Sequence, residues 1–243
     1  MKTAKAKIYT ITSVKGGTGK TTFLLSFAGI LSRKKQKTLI IDLDLTGSSI
    51  APSLNIPNDR NVFNLADDMM NNRLSNIDSY ITSYNEYIDV LPASNDPRDK
   101  NKIHYQFIES IIKQLSYKYD YVLIDTNHVM DVISSVAIDN SDEALYIMTD
   151  DLMDLKNMKT MTAIYRDMNL NNYKIVLNET FKRNYTDLEL NTILGRKIDY
   201  IIPETFYDEN LSKYVYEGKI LTIEKPKKKG NITLEKMIDK LIK

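Results

Sequence analysis

Short β-branched apolar runs alternate along this chain with longer stretches whose apolar residues recur at helical spacing. The short runs are Ile8–Thr12, Thr38–Leu45, Glu86–Ala93, Asp120–Thr126, Ala144–Met148, Lys174–Asn178 and Ile198–Ile202. Their length and lack of polar alternation predict strands buried on both faces of a parallel sheet. Between them, Phe23–Leu31, Ile103–Leu115 and Leu152–Met168 read as helices, and Thr186-Asp187-Leu188-Glu189 opens another with a capping residue and early acids. Residues 51–86 are polar, with a helical patch at Val62–Met70, and are expected to form short helices on the rim. The alternation predicts an α/β fold: one doubly wound domain over residues 1–243, a mostly parallel twisted sheet with helices on both faces.

The first strand runs into Val14-Lys15-Gly16-Gly17-Thr18-Gly19-Lys20-Thr21-Thr22 and then into a helix. Strand, glycine-rich loop and helix is the order a phosphate site needs. Glycines let backbone amides point inward, and the helix N-terminus adds partial positive charge. Lys20 can reach terminal phosphates, and Thr21 offers a hydroxyl to Mg²⁺. The ordinary P-loop pattern wants glycine where Val14 stands, and this loop has a second lysine, Lys15, near its start.

Two apolar runs end in acids: Asp42 and Asp44 after Leu39-Ile40-Ile41, and Asp125 after Val122-Leu123-Ile124. Ligands collect at the carboxyl ends of parallel strands, so both sets face a nucleotide in this topology. Asp125 stands as the Walker B acid that holds Mg²⁺ opposite Thr21.

The chain has 243 residues, 42% hydrophobic and 27% charged, with net charge +1, so no global field draws it to nucleic acid or an anionic surface. It contains no signal-peptide-like start and no apolar run of membrane-spanning length, and a cytoplasmic protein is expected. Cysteine is absent, which excludes disulfides, thiolate zinc sites and cysteine-held iron–sulfur clusters.

Lys15-Gly16-Gly17-Thr18-Gly19-Lys20-Thr21 resembles the deviant Walker A motif of the MinD/ParA family of dimerising ATPases. The resemblance implies ATP/ADP and Mg²⁺ as cofactors, bound by Lys15, Gly16, Gly17, Thr18, Gly19, Lys20, Thr21 and Thr22, with Thr21, Asp42 and Asp125 around the metal. It also implies that Lys15, Lys20 and Asp44 are catalytic. Lys15 would reach a partner's phosphates in an ATP-bound homodimer, and Asp44 would orient or deprotonate water. Asn178 would hydrogen-bond the adenine edge, and the loop at Pro203 would wrap it. Slow, dimer-dependent ATP hydrolysis is expected.

Relatives with cysteine-held clusters are excluded by composition, and dethiobiotin-type ligases by the early lysine. The family commonly has proline after Asp-Thr, whereas Asn127-His128 follows here; His128 reads as a loop histidine or as a neighbour of the nucleotide. His104 carries no assignment.

The runs Asp42-Leu43-Asp44-Leu45-x-Gly47-Ser48, Val90-Leu91-Pro92-Ala93 and Asp151-Leu152-x-Asp154-Leu155 look most like the CpaE/TadZ branch, the Tad/Cpa pilus-assembly ATPases, as does Ile202-Pro203 followed by Tyr216-Glu217-Gly218-Lys219. That branch implies positioning of a pilus or secretion apparatus, often at a cell pole at the inner membrane face, with an unidentified protein partner. Those proteins often carry an N-terminal receiver-like domain, and this chain is expected to hold the ATPase domain alone.

Two other roles remain open. Lys225, Lys227, Lys228 and Lys229 form a solvated loop or a patch for nonspecific DNA binding, as in ParA-type partition. The stripe Ile232, Leu234, Met237, Ile238, Leu241 and Ile242 docks on the sheet or touches a membrane, as in MinD-type division-site regulators. Arg33, Lys34, Lys35 and Lys37 read as cations at a helix C-terminus or as a basic patch.

Overall fold

A computed structural model describes residues 4–179, 183–207 and 211–243. In chain order the elements are β1 (Lys7–Thr12), α1 (Lys20–Arg33), β2 (Thr38–Leu43), α2 (Ile50–Leu54), α3 (Val62–Met70), β3 (Thr82–Ser83) and β4 (Ile88–Leu91). There follow α4 (Tyr105–Leu115), β5 (Tyr121–Thr126), α5 (Val132–Asp139), β6 (Glu143–Met148), α6 (Leu152–Asp167) and β7 (Tyr173–Asn178). The chain closes with α7 (Asp187–Leu194), β8 (Tyr200–Ile202), α8 (Leu211–Tyr216), α9 (Leu221–Glu224) and α10 (Lys229–Leu241).

The strands form one eight-stranded sheet in the order β3-β4-β2-β5-β1-β6-β7-β8, parallel except for β3 on β4. The expected α/β architecture is what the chain adopts. The central strands β1, β2 and β5 are buried along almost their whole length because both faces are covered. On one face Tyr9, Phe23, Phe27 and Leu31 pack with Leu234, Ile238 and Leu241 of α10. On the other, Ile8, Ile41 and Ile124 pack with Ile108, Ile111 and Leu115 of α4. A third cluster joins Tyr146, Leu155, Met158 and Leu177 between α6 and β6–β7.

Most element boundaries differ from expectation by one to three residues, and three departures have a visible cause or consequence. The second strand stops at Leu43 rather than Leu45, because Asp44 Oδ1 accepts from the backbone N–H groups of Thr46 (3.3 Å) and Gly47 (3.1 Å) and so closes a turn. The fourth strand begins at Ile88 rather than Glu86, because Asn85 Oδ1 takes the N–H groups of Tyr87 and Ile88 into a turn. Within 51–86, read as helical rim, Thr82–Ser83 instead pairs antiparallel with β4 at the sheet edge.

The basic end of α1 acts on tertiary partners. Arg33 pairs with Glu235 (3.1 Å), and Lys34 with Glu235 (3.3 Å) and Asp239 (2.9 Å), clamping α10 to α1. Tyr9 Oη also donates to the Leu241 carbonyl at 3.0 Å. Leu234, Met237, Ile238 and Leu241 of the α10 stripe are thus buried against the rest of the fold, while Ile242 is half-buried and Ile232 stays exposed.

Candidate nucleotide site

The strand order reverses at β1, whose neighbours are β5 and β6, so a crevice opens at its carboxyl end. The Gly16–Gly19 loop lies there. Gly17 and Gly19 have φ of 76° and 91°, a region that costs other residues strain. A Cβ at Gly19 would stand 2.5 Å from Asn178 Nδ2, so glycine is required for packing as well. Thr18 is buried, and its hydroxyl has no hydrogen-bond partner among the described residues. Lys20 and Thr21 open α1, and Lys20 is held in the crevice at 8% exposure.

Two carboxylates close the other side. Asp42 and Asp125 are register partners on β2 and β5, both almost completely buried. Thr21 Oγ1 donates to Asp125 Oδ2 at 2.9 Å and lies 3.0 Å from Ser49 Oγ. Asp125 Oδ1 has no partner among the described residues. Asp42 accepts from the Asp44 N–H at 3.1 Å and, more loosely, from Ser48 Oγ and Ile50 N–H at 3.4 Å. Burial drives both carboxyl pKa values up; repulsion from Asp125 adds to it at Asp42, while the Lys20 charge and the Thr21 hydroxyl oppose it at Asp125.

This arrangement suits Mg²⁺. A buried anionic pair with a free oxygen and a hydroxyl beside it supplies hard donors, and a cation would relieve its electrostatic cost. Among the described residues no group of three or more acidic or imidazole side chains forms an all-protein metal cage. Mg²⁺ takes most of its ligands from phosphates and water, so one carboxylate and one hydroxyl fit it.

The remaining predicted residues fall around the same crevice. Asp44 lies at its rim; besides the two backbone bonds, its Oδ1 accepts from Thr46 Oγ1 at 3.0 Å, and Oδ2 takes no hydrogen bond among the described residues. Lys15 Nζ donates to Asp151 Oδ1 at 2.7 Å, and Asp151 also caps α6 through the N–H groups of Met153 and Asp154. Thr22, half-buried, follows Thr21 on α1. Asn178 ends β7 and donates to the Thr18 carbonyl at 2.8 Å. Pro203 follows β8 and caps the short helical turn Glu204–Phe206. His128 sits against the loop: its Nδ1 and Cε1 lie 3.6 Å from where a Gly16 Cβ would stand.

Sequence reasoning missed Ser49 and Tyr207, and saw Asp151 only as part of a motif. Ser49 follows the acidic run closely enough to have been suspected; Tyr207 stands in a loop without any local signal.

A family model for an AAA domain matches residues 6–171. The chain belongs to that family, the P-loop ATPases of the MinD/ParA type. Its fold is similar to that of a ParA family ATPase from Chlorobium tepidum TLS (TM-score 0.85, 20% identity, 97% of this chain and 99% of that one). It is also similar to a candidate plasmid partition protein from Borrelia burgdorferi B31 bound to AMPPNP (TM-score 0.77, 26% identity, 98% of this chain and 100% of that one). A curated relative, the septum site-determining protein MinD of Helicobacter pylori, is 29% identical over 160 residues, 65% of this chain and 59% of its own. The chain spans about three fifths of the length of the first septum-site relatives it matches. Among the described residues no helix is long and apolar enough to cross a membrane.

Proposed function

We propose that this MinD/ParA-type chain is an ATP-dependent switch in which two copies close over Mg²⁺-ATP and slow hydrolysis returns them to monomers. The observation that carries the reading is the Thr21–Asp125 contact at the mouth of the Gly16–Gly19 loop, with Asp42 buried beside it. The Borrelia relative bound to AMPPNP supports a triphosphate ligand.

In this reading Thr18, Gly19 and Thr22 line the phosphates, and Lys20 places its charge on the terminal ones. Thr21 and Asp125, with Asp42 behind them, would hold Mg²⁺, which when bound neutralises charge on the phosphate oxygens. Asp44, braced through Oδ1, turns Oδ2 toward the attacking water. Lys15 leaves Asp151 and meets the partner's phosphates. Asn178 and the Pro203 loop read adenine.

The role we favour is positioning of a Tad/Cpa-type pilus or secretion apparatus, on the cytoplasmic side and at a pole, through a protein partner. Its support is Asp151-Leu152-Met153-Asp154-Leu155, the branch-like run that builds the α6 cap and seats Lys15. ParA-type DNA partition is the second reading, favoured by the partition relative and by Lys225, Lys227 and Lys229 near the start of α10. MinD-type membrane contact through α10 would require its buried stripe to leave the sheet.

Calorimetry and sedimentation with Mg²⁺-ATP test the switch. Wild type should bind and dimerise, Lys20→Ala should not bind, Lys15→Ala should bind without dimer-dependent turnover, and Asp44→Ala should persist as an ATP dimer. Wild type that binds no nucleotide, or that hydrolyses equally well as a monomer, would overturn it. Salt-sensitive, ATP-dependent binding to random DNA would select partition over the pilus role, and ATP-dependent pelleting with anionic vesicles would select membrane contact.

A further inference from the structure

Asn178 is 2% exposed, and its amide nitrogen is fully committed: one hydrogen goes to the Thr18 carbonyl at 2.8 Å, the other to the Tyr207 hydroxyl. Its Oδ1 is buried with no partner among the described residues. The Tyr207 oxygen accepts the amide hydrogen, so its own O–H still needs an acceptor, and among the described residues none takes it. Both groups flank Gly19, where a Cβ would meet Asn178 Nδ2 at 2.5 Å and Tyr207 Oη at 3.1 Å. A free acceptor and a free donor therefore stand side by side next to the phosphate loop.

The pair is held firmly. Tyr207 closes a turn through its N–H to the Glu204 carbonyl (3.0 Å), and its ring meets the buried Phe206 edge-on at 5.2 Å. Lys228 donates to the carbonyls of Phe206 (3.1 Å) and Tyr207 (2.8 Å). Gly230 allows the start of α10 to lie directly on Thr205 and Phe206, where a Cβ would come within 2.2 Å of a carbonyl oxygen. Burial pushes the Tyr207 hydroxyl pKa up and keeps it a donor. The Thr18 carbonyl fixes the Asn178 amide, because rotation would set two acceptors against each other.

We propose that Tyr207 is a base-recognition residue of the nucleotide site: Asn178 Oδ1 accepts from the exocyclic amine of adenine, and the Tyr207 O–H donates to the ring nitrogen beside that amine. This rests on the adenosine-nucleotide reading above. Adenine offers a donor amine flanked by ring-nitrogen acceptors. Guanine offers O6 beside N7, two acceptors, and on its other edge donor and acceptor exchange places. A site built to satisfy buried polar groups discriminates strongly against a ligand that leaves them unpaired.

The test is calorimetric binding of ADP, GDP, 1-deaza-ADP and 7-deaza-ADP to wild type and to Tyr207→Phe, which keeps the ring and loses only the hydroxyl. Tyr207→Phe should bind ADP about 5- to 10-fold more weakly; its thermal midpoint should fall modestly, because the Asn178 N–H that the hydroxyl accepts is left unpaired, so the deaza comparison carries the assignment. One deaza analogue should show a similar loss on wild type and no further loss on the variant. Unchanged ADP affinity in Tyr207→Phe, or an equal loss for every nucleotide, would overturn the assignment. Wild type that fails to bind ADP, or binds GDP equally well, would instead remove the adenosine reading on which it stands.

Discussion

The Lys15 ammonium donates to Asp151 Oδ1 across 2.7 Å, so the loop's early lysine is held by the cap of α6 within its own chain. The contact holds the Asp151 carboxyl below its usual pKa range. Both side chains are well exposed, 40% and 47%, so the pair contributes little to stability. It does compete with any role of Lys15 on a second subunit. Asp151→Asn keeps the α6 cap and removes the charge. The variant should melt within a few degrees of wild type and dimerise with Mg²⁺-ATP a few-fold more tightly, measured by sedimentation equilibrium.

Asp125 is buried with one oxygen unpartnered among the described residues, which is costly for a protein without a bound cation. Asp125→Asn removes that charge, and its side-chain oxygen can still accept from Thr21. The apo protein should gain on the order of 1–3 kcal/mol in denaturant melts near neutral pH. Mg²⁺-dependent strengthening of ATP binding should be lost. Stability and ligand affinity are expected to move in opposite directions.

Asp154 lies on the buried side of α6, where Thr149 N–H donates to its Oδ2 at 2.8 Å while Oδ1 has no partner among the described residues. Burial pushes its pKa up to about 6. Between the usual carboxylate range and that value the folded chain binds more proton than the unfolded one, so stability falls as pH rises through the window. Above it the cost is constant; below the unfolded pKa both states are protonated and it vanishes. Asp154→Asn should flatten this slope between about pH 4 and 6 and stabilise the protein at pH 7 by on the order of 2–3 kcal/mol in urea melts at each pH.

Gly230→Ala would drive a methyl into the backbone of Thr205 and Phe206, with nothing flexible to yield. The start of α10 must then lift from the loop that bears Tyr207. A loss of about 2–4 kcal/mol is expected by chemical denaturation, together with weaker ADP binding. A helix free to leave the sheet would show neither effect.

The residues at strand ends were legible because the pattern that buries a parallel strand also delivers its last side chain to the carboxyl edge. Asp42 and Asp125, each one residue from the end of its strand, follow from that rule, Asn178 at the end of β7 from the resemblance to the MinD/ParA family, and the glycine loop from its need for positive φ at Gly17 and Gly19. The antiparallel edge at Thr82–Ser83 was not legible, since two residues carry no periodicity. Nor was the destination of Arg33 and Lys34, which depends on where α10 lies.

By itself the sequence determined the succession of strands and helices, the phosphate loop and the acids that face it, because each rests on local periodicity or on side chains close in the chain. Only the tertiary structure decided that Lys15 is seated on Asp151, 136 residues away, that Tyr207 meets Asn178 beside Gly19, and that α10 braces the loop between them. The physical reason is that such contacts depend on the order of strands in the sheet, which no local pattern encodes.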